Sequence, residues 1–368
     1  MPPPSANAHH NRLVYNPCDQ QGFFSPPLMS PLPITVLTSV FNGALYLDAA
    51  IESVLAQSFT DFEFLLIDDA STDATPALLA AWARRDSRIV LVRNPSNLGL
   101  TKSLNKGIRL ARGEWIARQD ADDISLPQRL EKQMAFLANH PEVGLLGTGS
   151  ILIDSQGKIA NQTLLNPTDH TEIKWQLLYD NPFYHTSTIF RRELGLQHPY
   201  DESLRFGQDF ELWGRLLTAT QGANLAAPLV YYRHHDNRIS TIHYSQQIEN
   251  ALGVMRQRIL SLVPDRPWSL QEIKAMRTLA TSSWPTRGES VETALLLLKL
   301  FAAFAVGEGL NPKTLSDLQA RLLDRLWRLA RHLPLLRDQK TLLIAMWRYD
   351  KWQTLASLRR ELKRFMVG

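Results

Sequence analysis

The sequence is poor in cysteine. Cys18 is the only one among 368 residues, so an internal disulfide and a cysteine-based zinc site are both excluded. Such thiol usage suits a reducing compartment, and a cytoplasmic setting is expected. Long apolar runs are missing too. The most apolar stretch, "ALLLLKLFAAFAV" (294–306), falls short of the roughly 20 residues that span a bilayer and contains Lys299. It reads as a buried or membrane-surface helix. The N-terminal stretch has no apolar core of the secretory-signal kind. Its prolines and small polar residues predict a disordered lead-in over 1–31. Net charge is only +4, and no segment combines dense basic charge with aromatics, which argues against a nucleic-acid partner. The sequence pI near 9.1 comes mostly from one end. About 15 Lys/Arg stand against 8 Asp/Glu from Arg287 onward.

Apolar residues make up 44%, enough for a sizeable core. "ITVLTSV" (34–40) is β-rich and nearly continuous in apolar character, as a strand covered on both faces would be. Asn42 and Gly43 make a turn, and Leu47, Ile51, Val54 and Leu55 then fall on one helical face. "FEFLLI", "RIVLVR" and "EWIAR" repeat the strand signal, with helical stretches between them. Thr75–Pro76 reads as a helix start and Ser125 as a helix cap. The alternation over about 34–140 predicts an α/β fold with a mostly parallel, Rossmann-like sheet between helices. In such sheets ligands sit beyond the carboxyl ends of the strands. Polar clusters at 39–42, 68–71 and 120–123 occupy those ends and are expected to converge. Further on, a hairpin turns at 155–157, "STIFRR" and "PLVYYR" read as strands, and "GQDFELWGRLL" as a helix. From about 245 the pattern is helical, with Leu315, Leu318, Leu322, Leu326 and Leu329 on one stripe. Expected divisions are a segment 1–31, a domain 32–245 with halves 32–140 and 141–245, and a helical region 246–368.

"RQDADD" (118–123) crowds Asp120, Asp122 and Asp123 at a strand end. Hard divalent ions take oxygen ligands, often one or two carboxylates plus phosphate oxygens. A D-x-D there can bridge through Mg2+ or Mn2+ to a diphosphate, and the metal charge relieves the repulsion. A solvated turn or an acidic helix start would present the same residues.

Five ordered blocks decide between these: "ITVLTSVFN", "FEFLLIDDASTDAT", "NLGLTKSLNKGI", "GEWIARQDADD" and "GQDFELW". Together, over roughly 33–240, the chain resembles glycosyltransferase family 2, of GT-A fold. The resemblance implies a metal-dependent, inverting transfer of sugar from a nucleotide diphosphate-sugar, by preference a UDP-sugar, to a hydroxyl on a saccharide or lipid-linked acceptor. It puts Ser39, Val40 and Asn42 beside the base or ribose, Asp69 on the base edge, and Lys102 and Asn105 on a shared donor-facing helix surface. Asp120 would approach ribose or metal, and Asp122 would ligate Mn2+ or Mg2+. Asp209 would be the general base, although Gln208 replaces the acidic neighbour usual in the family. The Y-R-x-H pattern fits Tyr232, Arg233 and His235, with His235 on the metal or diphosphate. His185, Thr186 and Ser187 would line the acceptor side, and Trp213 serves as an acceptor platform or a core residue. Relatives that work at membranes imply peripheral contact through the basic C-terminal helices, on the cytoplasmic face.

Two other readings are weighed. A non-catalytic nucleotide-sugar scaffold is left open by Gln208 and the helical extension. A sugar nucleotidyltransferase needs a Gly- and basic-rich triphosphate loop, and "TSVFNGALYLD" has one glycine and no Lys or Arg.

Overall fold

The computed structural model describes residues 32–236, 238–281, 291–333 and 336–350. The expected lead-in at 1–31, with Cys18, lies outside these residues, as does part of the basic C-terminal end. Strands β1 (Leu32–Val40), β2 (Phe62–Asp68), β3 (Ile89–Arg93) and β4 (Gly113–Arg118) alternate with helices α1 (Ala44–Leu55), α2 (Thr75–Arg85) and α3 (Leu100–Leu110). β1 pairs in parallel with β2 and β4, and β2 with β3. The continuous apolar character has its expected cause: every residue of β2 is buried. Successive side chains serve opposite layers. Phe62, Phe64 and Leu66 join α1 and α2 on one face, while Leu65 and Ile67 join α3 on the other.

The sheet then changes direction. After β5 (Ile124–Ser125) and α4 (Arg129–Asn139) come β6 (Val143–Ile153), β7 (Ile159–Leu164), α5 (His170–Gln176), β8 (Ile189–Arg191), α6 (Arg192–Gln197), α7 (Gln208–Ala219) and β9 (Gln221–Arg233). The order across the sheet is β3-β2-β1-β4-β8-β6-β9-β5, with β7 on β6. β8 runs antiparallel to β4 and β6, and β9 runs parallel to β6. The expected hairpin joins β6 to β7, with Gly157 at φ 84 in the turn. Ser125 does not cap α4. It pairs with Val230 in β5, and the helix starts only at Arg129. Pro127 disfavours helical backbone at the residue before it, which delays the start.

The C-terminal region is helical where described: α8 (Ile239–Ile242), α9 (Tyr244–Leu262), α10 (Leu270–Thr281), α11 (Val291–Gly307), α12 (Pro312–His332) and α13 (Leu336–Tyr349). The leucine stripe of α12 is core. Leu318, Leu322, Leu326 and Leu329 are buried, and they share one hydrophobic cluster with Trp213, Phe183 and Leu37. Leu297, Leu300, Phe301 and Phe304 of α11 join it, with Trp175 edge-on to Phe301 at 5.0 Å. Between the two expectations for "ALLLLKLFAAFAV", the buried helix is the one observed. Each large apolar side chain so buried contributes about 1.5–3 kcal/mol. The cluster crosses the expected boundary at 245–246. Among the described residues, no helix is long and apolar enough to cross a membrane.

Candidate active site

Two buried arginines underlie the acidic cluster. Arg118, at the end of β4, donates to the Leu37 carbonyl at 2.9 Å, to the Gln119 carbonyl and to the Asp120 carboxylate. Among the described residues, the bonding partners of Arg129 are neutral oxygens. Its guanidinium donates to Gln133 Oε1, Gln119 Oε1, Ser125 Oγ and the carbonyls of Arg118 and Thr188, so all five N–H donors are used. Burial, then the like charge of Arg118, lowers its pKa to about 9. Burial opposes the charge of Asp120 most strongly, but the surrounding basic groups, Arg118 first, together outweigh it and hold that carboxyl below the usual range. Asp123 goes the other way. Burial, then Asp122 and Asp120, push it well above the carboxylate range.

The second half of the sheet brings the Y-R-x-H segment onto these acids. β9 pairs with β5, setting Tyr231 opposite Ile124. Arg233 then donates its backbone N–H to Asp123 Oδ1 at 2.8 Å and its Nε to the Asp122 carbonyl at 2.8 Å. His235 Nε2 lies 3.0 Å from Asp122 Oδ2, and its ring leans on Tyr46 at 4.9 Å. Among the described residues, no group of three or more His, Cys, Asp or Glu side chains is arranged to hold a metal ion.

A cavity of about 380 Å³ opens over this cluster. Asp120, Asp122 and Asp123 line it, and so do Asp180, Asn181, His185, Asp209, Tyr232 and Arg238 among others. Asp209 stands in the first turn of α7, where Gly207 at φ 72 makes the entry turn. Burial raises its pKa, against the pull of the Phe210 amide and of Asn181, whose Nδ2 donates to Asp209 Oδ2 at 2.9 Å. Arg238 stacks over Tyr232 at 4.1 Å. Its own burial is outweighed by Tyr232 and the acids, which keep it cationic. His185 is neutral. Burial and Arg118 lower its pKa to about 3, and Arg118 Nε donates to its Nε2 at 3.3 Å, which assigns the ring proton to Nδ1.

Other predicted residues do not line this cavity. Ser39 and Val40 end β1, and Asn42 (φ 52) accepts the Thr72 N–H at 2.8 Å, tying the β1 and β2 ends together. Asp69 is buried; Oδ1 accepts from Asn94 Nδ2 and the Leu98 N–H, and Oδ2 from the Gly99 N–H. The shared surface expected of Lys102 and Asn105 is not found. Lys102 is exposed, whereas Asn105 is buried and bonded to Tyr200 and Glu202, because the segment after α6 packs over that side of α3. Trp213 is core, edge-on to Phe183 and His185. Glu211 is paired with Arg215 at 2.7 Å.

A family profile described as Glycosyl transferase family 2 matches residues 35–195. The putative glycosyltransferase EpsE of Bacillus subtilis is 34% identical over 60% of this chain and 80% of its own length. The chain belongs to glycosyltransferase family 2. The amylovoran biosynthesis glycosyltransferase AmsE of Erwinia amylovora is 32% identical over 50% of this chain and 69% of its own. In fold, this glycosyltransferase is similar to S. aureus TarS 1-349 in complex with UDP-GlcNAc, at 18% identity, TM-score 0.54, and coverage of 88% and 93% of the two chains. The profile match ends before Asp209 and His235. Sequence reasoning passed over Arg118, Arg129, Asn181 and Arg238. Arg118 lies inside a quoted motif and Arg238 three residues after the Y-R-x-H pattern, and their charge was the available signal. Asn181 carries no local signal.

One consequence is spectroscopic. The His185 imidazole resonances are expected not to titrate between about pH 5 and 8, the range in which an ordinary histidine changes charge. A midpoint near pH 6.5 in an NMR titration of His185 would overturn the assignment of a neutral ring.

Proposed function

We propose that the enzyme moves a sugar from a nucleotide diphosphate-sugar to a hydroxyl acceptor, with inversion, using Asp209 as base and a divalent cation at Asp122 and His235. One observation carries this reading: Asp122 and Asp209, 87 positions apart by their residue numbers, line the same cavity. Asp122 and His235 fit a hard cation. The carboxylate side chain is 30% exposed, its partner is an imidazole nitrogen, and Asp120 and Asp123 line the same cavity. Two protein ligands are what Mg2+ or Mn2+ often takes when phosphate oxygens and water supply the others. When bound, such an ion offsets charge on the departing diphosphate. Arg238 adds a cation lining the same cavity.

The protein's own steps follow from the geometry. Asp209, ionised, takes the proton of the acceptor hydroxyl as that oxygen bonds to the anomeric carbon. The bond from that carbon to the diphosphate oxygen breaks on the opposite face, which inverts the centre. Asn181 holds the carboxylate in place for this transfer. The nucleoside end is assigned to Ser39, Val40, Asn42 and Asp69 at the ends of β1 and β2. A UDP-sugar is the favoured donor, supported by TarS, which has been crystallised with UDP and with UDP-GlcNAc. Synthesis of a polysaccharide is supported by the amylovoran enzyme among the relatives.

Asp122→Ala is expected to bring transfer to background and to abolish Mn2+-dependent UDP binding in calorimetry; unchanged binding would remove Asp122 from the metal. Asp209→Asn should lower turnover by roughly 10²- to 10⁴-fold with donor binding intact. In the native enzyme kcat should fall as pH drops through the raised pKa of Asp209, so the acid limb lies above the ordinary aspartate value of about 3.9. A limb unchanged in the Asn variant would refute the base.

Peripheral contact with an anionic membrane on the cytoplasmic side is also proposed, now through α13 rather than the buried stripe of α12. Ile344 and Trp347 are exposed on α13 beside exposed Arg337, Lys340 and Arg348. Such a mixed face suits an anionic bilayer surface. The enzyme should co-sediment with phosphatidylglycerol vesicles and not with phosphatidylcholine, and Trp347→Glu should weaken this. Equal recovery with both vesicles, or none with either, would sink the idea.

A further inference from the structure

Arg258 of α9 lies across the first turn of α7. Its Nη2 donates to the Phe210 carbonyl at 2.6 Å and the Glu211 carbonyl at 3.3 Å, and its guanidinium covers the Phe210 ring at 4.3 Å. Its Nη1 donates to the Leu177 carbonyl at 3.0 Å. Leu177 follows α5 and leads into Asp180 and Asn181, and Asn181 holds Asp209. One planar cation therefore joins the loop that orients the carboxylate to the helical turn that carries it. A second tether comes from α10, where Arg277 Nη2 donates to Asp180 Oδ1 at 3.2 Å. Burial lowers the Arg258 pKa only to about 10, so the group is charged at neutral pH.

Gly214 explains how the arginine gets there. A glycine in mid-helix is unfavourable, since alanine is the better helix former. A Cβ at this position would lie 2.2 Å from Arg258 Nη2, 2.6 Å from Nε and 2.7 Å from Cζ. The missing side chain is the notch through which the guanidinium reaches the carbonyls.

We propose that Arg258, supplied by the C-terminal helices, is a positioning residue for Asp209, and that Gly214 is glycine in order to admit it. The proposal rests on the reading of Asp209 as base. It gives the helical region a part in the reaction: it holds the loop 177–181 and α7 in register. A lysine cannot replace Arg258, because a single ammonium lacks the fork that spans both carbonyl sets. Displacement of a catalytic group by about 1 Å can cost on the order of 10²-fold in rate.

The test uses the full chain and whichever UDP-, GDP- or dTDP-sugar it hydrolyses fastest with Mn2+. R258M, R258K and G214A are each expected to lower kcat by roughly 10- to 100-fold, with donor KM nearly unchanged. The acid limb of kcat should move to higher pH, since Asn181 would no longer stabilise the Asp209 carboxylate. G214A guards against simple misfolding, because it favours the helix while evicting the guanidinium. The G214A/R258M pair should be no worse than R258M, as expected of two changes that remove one interaction. None of these variants should slow D209N further. Wild-type kcat in both R258M and G214A overturns the proposal, and so does an equal loss in the D209N and wild-type backgrounds. D209N alone reads the base separately: normal turnover there removes the base assignment and this proposal with it.

Discussion

Two guanidiniums buried beneath the carboxyl end of β4 set the terms for the catalytic pocket. Charged groups out of water cost several kcal/mol each unless they are bonded on all sides. Arg118 meets this with a carboxylate and two carbonyls, and Arg129 with five neutral acceptors. Their positive field offsets the crowding of Asp120, Asp122 and Asp123. Burial, with the charge of Arg118 second, keeps His185 neutral, so that an uncharged imidazole lines the pocket. Removing one partner of such a pair typically costs 3–5 kcal/mol, because the remaining charge is stranded. The pocket is thus charged along its acidic turn and tightly bonded beneath.

The change of strand direction after β4 turns that cluster into a site. Four parallel strands end in the acids. The antiparallel β8 and the long β6–β9 pair then bring the chain back over them. His235 reaches Asp122 across 113 positions of sequence, and Arg233 clamps the backbone of the acidic turn. Asp209 arrives from a third direction, on a helix whose N-terminal amides and burial act oppositely on its proton affinity. Catalytic geometry in this glycosyltransferase is therefore a product of sheet topology, with no single segment holding it.

The C-terminal helices share their core with the catalytic domain. Leu322 and Leu326 of α12 lie in the same cluster as Trp213 of α7 and Leu37 of β1. Arginines from α9 and α10 extend that contact to the loop beside Asp209. An apolar stripe at helical spacing looks the same in sequence whether it faces a membrane or a neighbouring helix. Here a neighbour takes it, and what remains for outside contact is the exposed face of α13.

The sequence by itself determined the alternation of strands and helices over 32–140, the acidic turn, and the family, since these rest on local periodicity and on motifs with fixed internal spacing. It also marked Asp209 and His235, which sit in short recognisable blocks. Ser125 was misread as a cap because Pro127 acts two residues on, and Lys102 and Asn105 were read as companions because the burial of Asn105 depends on Tyr200 and Glu202, remote in sequence. Only the tertiary structure decided the contacts of Arg129, Asn181, Gly214 and Arg258. Each works through partners that are remote in sequence or on other elements, and hydrogen-bond geometry of that kind leaves no periodic trace along a chain.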